Sequence, residues 1–228
     1  MRNIDNFDWG WMEDSSSTNL KPLLIKEIFE DRIYERFFEV EEGDIVFDAG
    51  SSVGPFAYSI VNKNPKHIYC IEPSPVEFPT LNRNLRGYPV TTIKKGVGSN
   101  EDGFFSDMVY GETSEGRVFI ESISFGSFLK DYGIDKIDFL KTDCEGGEYD
   151  IFIEDHLDFL KTVPKITGEW HLQSLEEKEK FRKFRDNILI HFPKYEIFSV
   201  DGIDIKWDLL NENFIEYYRQ IIIYIDNR

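Results

Sequence analysis

The stretch Ile45-Val46-Phe47-Asp48-Ala49-Gly50-Ser51-Ser52-Val53-Gly54-Pro55-Phe56 constrains the fold more than any other. A short apolar run with β-branched and aromatic residues reads as a buried strand, with Asp48 at its end. Gly50 and Gly54 then permit a tight turn and close approach of backbone to a ligand. Pro55 and Phe56 begin a helix-like pattern. The stretch is therefore predicted to be the first strand, loop and helix of a nucleotide-type fold.

The glycine spacing departs from the dinucleotide fingerprint, which wants three glycines. A pyrophosphate loop offers bare N–H groups and a helix N-terminus, and a carboxylate at Asp48 would oppose that anion. A cationic ligand would be favoured by the same carboxylate. An Asp followed by a glycine loop thus suits S-adenosylmethionine, which carries an ammonium and a sulfonium, better than NAD. Taken alone, the loop is equally compatible with a strand-end Asp that caps the next helix.

The chain has 228 residues, enough for one sizeable α/β domain with appended ends. The expected division is an N-terminal helical or irregular extension over 1–40 and one domain over 41–228. Forty-three acidic residues against 26 basic ones give a net charge of −17, which disfavours nucleic acid as a partner. Two cysteines, Cys70 and Cys144, both expected to be buried, make no disulfide framework and suit a reducing compartment. No apolar run reaches the length of a membrane span, and the acid-rich N-terminus lacks a signal pattern, so the expectation is a cytoplasmic protein without a membrane partner.

In chain order, residues 1–19 with Trp9 and Trp11 read as an irregular lead-in, either a lid or an arm packed on the body. Residues 20–38 read as one amphipathic helix or two short ones. A second strand, His67 to Ile71, ends at Glu72-Pro73-Ser74-Pro75, a separation from Asp48 that suits a βαβ unit. An acid there is placed to accept hydrogen bonds from an adenosine ribose, or is a plain turn residue. A helix from Val76 to Leu85, a third strand from Pro89 to Lys94 and a loop at Gly96-Val97-Gly98 that would pass an adenine follow. Residues 99–116 read as an insertion or edge ribbon, Arg117–Ile123 as a strand and Ser124–Tyr132 as a short helix. Lys136 to Asp143 is the fourth parallel strand, with a helix from about Glu148 to near Leu160. Pro164 to His171 is the fifth strand, 176–190 a charged amphipathic helix, and Tyr195–Val200 with Tyr217–Ile225 a terminal antiparallel pair.

Such alternation argues a mostly parallel sheet covered on both faces, with ligands beyond the carboxyl ends of the strands. That rule gathers Asp48, Glu72, Gly96, Asp143, Glu145, Glu169 and His171 on one rim. Four groups of residues then resemble the FkbM-type methyltransferases, a branch of the Rossmann-like S-adenosylmethionine-dependent enzymes. They are Asp48 to Gly54, Glu72-Pro73-Ser74-Pro75 with Leu81 and Asn84, Lys141-Thr142-Asp143-Cys144-Glu145-Gly146-Gly147-Glu148, and Glu169-Trp170-His171. Two departures stand out: Ser52 where the family usually has Asn, and Ser124-Phe125-Gly126 where it usually has Thr-Leu-Asp.

The resemblance implies a class I methyltransferase fold: a mostly parallel seven-stranded sheet, helices on both faces and a terminal antiparallel pair. It implies S-adenosylmethionine as cofactor, released as S-adenosylhomocysteine, and O-methylation of a sugar or small natural product as activity. The cofactor would be held by Asp48, Gly50, Ser51, Ser52, Gly54, Glu72, Pro73, Gly96, Val97 and Asp143. His171 at the fifth strand's end is the first candidate for general base. Asp143 and Glu145 are kept as site residues; Glu148, three residues after Glu145 at a helix start, is assigned to a capping box. Clustered acids are also the ligand type of a divalent metal, which nothing else in the sequence supports. Lys141 is expected to pair with a carboxylate. Two alternatives are kept: a non-catalytic adenosine-binding module of the same fold, and an NAD-dependent enzyme.

Overall fold

The computed structural model describes residues 4–13, 20–98, 103–105, 118–213 and 215–228. Strand β1 (Ile45–Ala49) pairs in parallel with β2 (His67–Ile71) on one side. Strand β3 (Val90–Ile93) continues beyond β2. Short strands β4 (Gly96–Gly98), β5 (Gly103–Phe105), β6 (Val118–Ile120) and β7 (Ser122–Ser124) form two separate pairs, β4 with β7 and β5 with β6. Strand β8 (Phe139–Thr142) lies on the other side of β1, followed by β9 (Lys165–His171). Finally β10 (Tyr195–Ser199) and β11 (Gln220–Asp226) close the sheet, β11 inserted antiparallel between β9 and β10.

The resulting order is β10-β11-β9-β8-β1-β2-β3, seven strands of which the first five in the chain run parallel. After β3 the chain returns to the far side of β1 to lay down β8. The switch point therefore lies between the carboxyl ends of β1 and β8, where this architecture opens a crevice.

Alternation along the strands builds two cores. Phe47, Ala49, Ile71, Leu140 and Ile166 face one side, against Phe125, Phe128, Phe152, Trp170 and Phe184. Val46, Ile68, Cys70 and Phe139 face the other, against Phe7, Trp9, Phe29, Ile33, Phe56 and Ile60. The extension thus covers part of the second core. Phe7 sits edge-to-face with Trp9 at 4.7 Å and with Tyr58 at 4.8 Å between ring centres. Trp9 is a packing residue, only 2% exposed. Cys70 is buried, whereas Cys144 is half-buried instead of buried as expected.

Among the described residues the α-helices are α1 (Leu20–Leu24), α2 (Pro55–Ile60), α3 (Phe78–Asn84), α4 (Phe125–Asp131), α5 (Glu148–Ile151), α6 (Leu157–Leu160), α7 (Leu175–Asn187) and α8 (Lys206–Leu210). Four expectations need correction here. Residues after α1 continue as a wide π-turn, Ile25–Glu30, in which the Asp31 amide donates to the Lys26 carbonyl. The segment from Glu148 to Leu160 is not one helix. It breaks after α5 because Phe152 turns into the core, its ring 5.3 Å from Trp170 and 5.6 Å from Phe184, and Ile153 is extended. Gly96-Val97-Gly98 is a strand rather than a loop, with the Val97 side chain in the core. Most of the ribbon expected over 99–116 lies outside the described residues; β6 and β7 divide the strand expected at 117–123. Ser124, at one departure from the family pattern, caps α4 by accepting from the Ser127 amide at 3.1 Å.

Candidate functional site

The turn after β1 is fixed by the strands beside it. The Gly50 and Ser51 amides both donate to the Ile71 carbonyl at 3.0 Å, and the Ser51 hydroxyl donates to the Asp48 carbonyl at 2.7 Å. Gly50 has φ +73°, and a Cβ there would stand 1.6 Å from the Asp143 carbonyl oxygen, so only glycine allows β1 and β8 to meet. Ser52 takes φ +51°, its amide donating to Glu72 Oε2 at 2.8 Å and its hydroxyl to Glu77 Oε1 at 3.0 Å.

Asp48 does not reach this surface. Its side chain is wholly buried, and across the β1–β8 register it faces Lys141, whose Nζ stands 3.1 Å from Oδ1. Among the described residues, no donor is aligned on either Asp48 oxygen. The Lys141 ammonium spends its own on the carbonyls of Ala49 (3.2 Å) and Gly50 (2.7 Å). Burial pushes the Asp48 carboxyl up, and Lys141 opposes that rise. Burial disfavours the Lys141 charge, yet Asp48 and Asp143 hold its pKa above the ordinary lysine value. The carboxylate read as facing a cationic ligand is therefore an internal counter-ion. What disfavours a pyrophosphate is instead that the loop's amides are already engaged, with two carboxylates, Glu72 and Glu77, standing over it.

Glu72, at the tip of β2, is 6% exposed and accepts from the Ser52 and Ser74 amides at 2.8 Å each. Burial first, then the Glu77 charge, push its pKa up to about 8. A raised carboxyl pKa means that the folded chain holds a proton that the unfolded chain has lost between about 5 and 8. Folding stability of the cofactor-free protein is therefore expected to fall as pH rises across that window. Thermal unfolding from pH 5 to pH 8 checks this, and Glu77→Gln should flatten the fall.

A second group gathers at the ends of β8 and β9. Tyr34, from the extension, donates its hydroxyl to Asp143 Oδ2 at 2.9 Å, leaving Oδ1 turned toward His171 Nε2 at 4.0 Å. Glu145 occupies the left-handed region at φ +51°, mostly exposed, with Oε2 3.4 Å from the same Nε2. Glu148 is fully buried. Its Oε1 accepts from the His171 amide at 2.7 Å and lies 3.1 Å from Nδ1, while Oε2 accepts from the Gly146 amide at 2.9 Å. Tyr149 donates its hydroxyl to the His171 carbonyl at 2.7 Å. Glu169 is 9% exposed, with burial and the Asp143 charge pushing its pKa well above the carboxylate range. Glu27, from the π-turn, is pushed up to about 7 by burial and by Asp143.

Two sequence readings change on this geometry. Glu148 is not a capping-box acid, since α5 has Gly147 before it and no side-chain cap; Ser174 and Glu177 form a capping box at the start of α7. His171 is not a free base. Burial works against its charge, but the hydrogen bond and charge of Glu148, with Asp143 and Glu145, hold its pKa at about 10. At neutral pH the ring already carries the proton that a base would have to accept.

The rim thus brings Glu72, Asp143, Glu145, Glu169 and His171 to the carboxyl ends of β2, β8 and β9, while Asp48 and Ser51 stay inside. Val97 is core, although Gly96–Gly98 passes the start of α5 closely, a Cβ on Gly147 meeting the Val97 carbonyl at 2.8 Å. Tyr34 and Glu27 were missed because they stand outside every motif; their one signal is a polar residue beside an apolar stripe. Two shallow clefts, of about 350 and 460 Å³, lie at the opposite, amino ends of the strands, around His67 and Val90, and hold no such cluster.

The Methyltransferase FkbM domain model matches residues 48–197. The chain belongs to the FkbM methyltransferase family. Among curated relatives, the hexuronic acid methyltransferase AglP of Haloferax volcanii is 26% identical over 142 residues, covering 58% of each chain. The 31-O-demethyl-FK506 methyltransferase FkbM of Streptomyces tacrolimicus is 40% identical over 63 residues, covering 27% of this chain and 24% of its own. The chain therefore spans less than two thirds of the curated relatives it matches. Among solved structures, Aeropyrum pernix fibrillarin superposes with TM-score 0.48 at 14% identity, over 81% of this chain and 67% of its own.

The cofactor that goes with this family is S-adenosylmethionine, and the FkbM domain's residues suit it. At the tip of β2, the Glu72 and Glu77 carboxyls face each other at a cost that a ligand donating two hydroxyls would relieve. At the tips of β8 and β9, Asp143, Glu169 and Glu27 present acidity toward which a ligand cation is drawn.

Proposed function

We propose that this FkbM-family chain is an S-adenosylmethionine-dependent O-methyltransferase acting on a hydroxyl of a sugar or other small natural product. The observation that carries the reading is the pair of acidic stations on one rim, Glu72 on one side of the Gly50 turn and Asp143 with Glu169 on the other. When bound, S-adenosylmethionine supplies a methyl group on a positively charged sulfur.

The chain's own work is positional. Glu72 and Glu77 accept hydrogen bonds from the ribose hydroxyls, and the Gly50 turn sets how closely β1 and β8 approach beneath the ligand. Asp143, fixed by Tyr34, and His171, fixed by Glu148 and Tyr149, line the place where the acceptor oxygen comes behind the methyl. The acceptor's proton leaves toward the carboxylates of this group, because the His171 ring is already protonated. Both curated relatives are named for small-molecule acceptors, and the surplus of acid disfavours nucleic acid.

Incubation with S-adenosylmethionine carrying a labelled methyl group and a panel of glycans and hydroxylated small molecules tests the reading. Label is expected in an ether that survives base. Cofactor binding without transfer to any acceptor, and without slow hydrolysis of the cofactor, would favour a non-catalytic adenosine-binding module instead.

A further inference from the structure

Asp143, Glu169 and His171 each offer a donor atom, and the three atoms lie within 4.8 Å of one another. Donors around a first-row divalent ion stand about 2.0 to 2.2 Å from it, which puts adjacent donors roughly 3 Å apart, so the three side chains have to draw together to hold one. Three further observations say that these atoms are prepared for a shared guest. Glu169 is nine-tenths buried, yet among the described residues no hydrogen bond or ion pair of 4.0 Å or less holds its carboxylate. The His171 ring is oriented from behind: Glu148, itself fully buried, holds the Nδ1 side and leaves Nε2 facing the group, where a cation would take the place of the Nε2 proton, which is released to solvent. A carboxylate behind an imidazole is the arrangement that fixes a metal-binding histidine in its tautomer. Asp143 is likewise held on one oxygen by Tyr34, with the other turned to His171.

We propose that Asp143, Glu169 and His171 bind a divalent cation, with Glu148 and Tyr34 as its positioning residues. Two carboxylates and one imidazole suit Mn²⁺ best, being harder than a zinc site rich in imidazole or thiolate and softer than an all-oxygen magnesium site. Three protein donors leave open positions for water or an acceptor hydroxyl.

The use of the ion, though not its binding, rests on the methyltransferase reading. A hydroxyl on the ion loses its proton more readily. The O–H bond breaks and the proton passes to the exposed Glu145 carboxylate, 3.4 Å from His171 Nε2, and on to solvent. The oxygen's electron pair forms the new bond to the methyl carbon, and the carbon–sulfur bond breaks to leave a neutral thioether.

The test is titration of the full chain with Mn²⁺, read as loss of the six-line electron paramagnetic resonance signal of the free ion. S-adenosylhomocysteine affinity is measured on the same samples. One site of micromolar affinity is expected, weakened at least about tenfold by Glu169→Gln and by Asp143→Asn, and about 10- to 100-fold by Glu148→Gln. Glu176→Gln, which removes an exposed acid on α7, should leave it unchanged. Circular dichroism identifies any variant that has not folded, and the other substitutions then carry the comparison. Zn²⁺ binding in place of Mn²⁺, with the same dependence on these side chains, would support the site. No saturable binding of either ion, or equal binding in Glu169→Gln and Asp143→Asn, would overturn it. If S-adenosylhomocysteine still binds in that case, the cation site fails while the methyltransferase reading stands.

Discussion

Lys141→Met is expected to destabilise the folded chain by about 3–5 kcal/mol, the usual consequence of leaving one member of a buried ion pair alone. Asp48 is 0% exposed and Lys141 3%, and among the described residues no donor is aligned on either Asp48 oxygen, so the Lys141 charge is what offsets it. The lysine also ties the Ala49 and Gly50 carbonyls to β8, so its loss loosens the turn as well as uncovering a charge. For a chain of this size each kcal/mol lowers the melting temperature by roughly 2–4 °C, so a drop of roughly 6–20 °C is expected by calorimetry. Adding Asp48→Asn should restore much of it, because the buried charge then disappears. A loss below about 1 kcal/mol in the single variant would show that the pair is hydrated or unformed.

Gly50→Ala is expected to do comparable damage by a different route, and to abolish cofactor binding. The added Cβ would stand 1.6 Å from the Asp143 carbonyl oxygen and 2.6 Å from its carbon, both backbone atoms. Neither can move without parting β1 from β8, and Asp143 would move with them. Gly54→Ala makes the informative comparison. Its φ is also positive, at +90°, but its Cβ would press on Leu81 Cδ1 at 2.8 Å, the flexible end of a side chain. Strain of about 1–3 kcal/mol with retained cofactor binding is expected there. Equal affinity for S-adenosylhomocysteine in Gly50→Ala and the parent chain would mean that the turn does not set the site.

The parts of the fold legible in the sequence are those where local pattern and chain punctuation agree. Strands β1 and β2 are short β-branched and aromatic runs that end in an acid and then glycine or proline, and β8 ends in the Lys141 to Glu148 motif. The end of the segment from Glu148 was not legible, because burial of Phe152 between Trp170 and Phe184 overrides local helix preference.

The site was legible in its positions more than in its roles. From its place at a strand end Asp48 reads as facing a ligand, although in the β1–β8 register it stands beside Lys141, 93 residues away, and the two charges offset each other. His171 reads as a base because a histidine at a strand end is an obvious candidate. Its protonation is decided by Glu148, which a helix-start spacing disguised as a cap. Tyr34 bonds to Asp143 across 109 residues, a contact that no local spacing could reveal.

The rim carrying Glu72 and Asp143 is expected to hold S-adenosylmethionine. Calorimetric titration with S-adenosylhomocysteine, for the parent chain and Glu72→Ala, tests it most directly. One site of micromolar affinity is expected, weakened about 10- to 100-fold when the carboxyl proposed to face the ribose is removed, as the loss of two hydrogen bonds at a buried site implies. No heat with either S-adenosylhomocysteine or S-adenosylmethionine, together with binding of NADH, would contradict it.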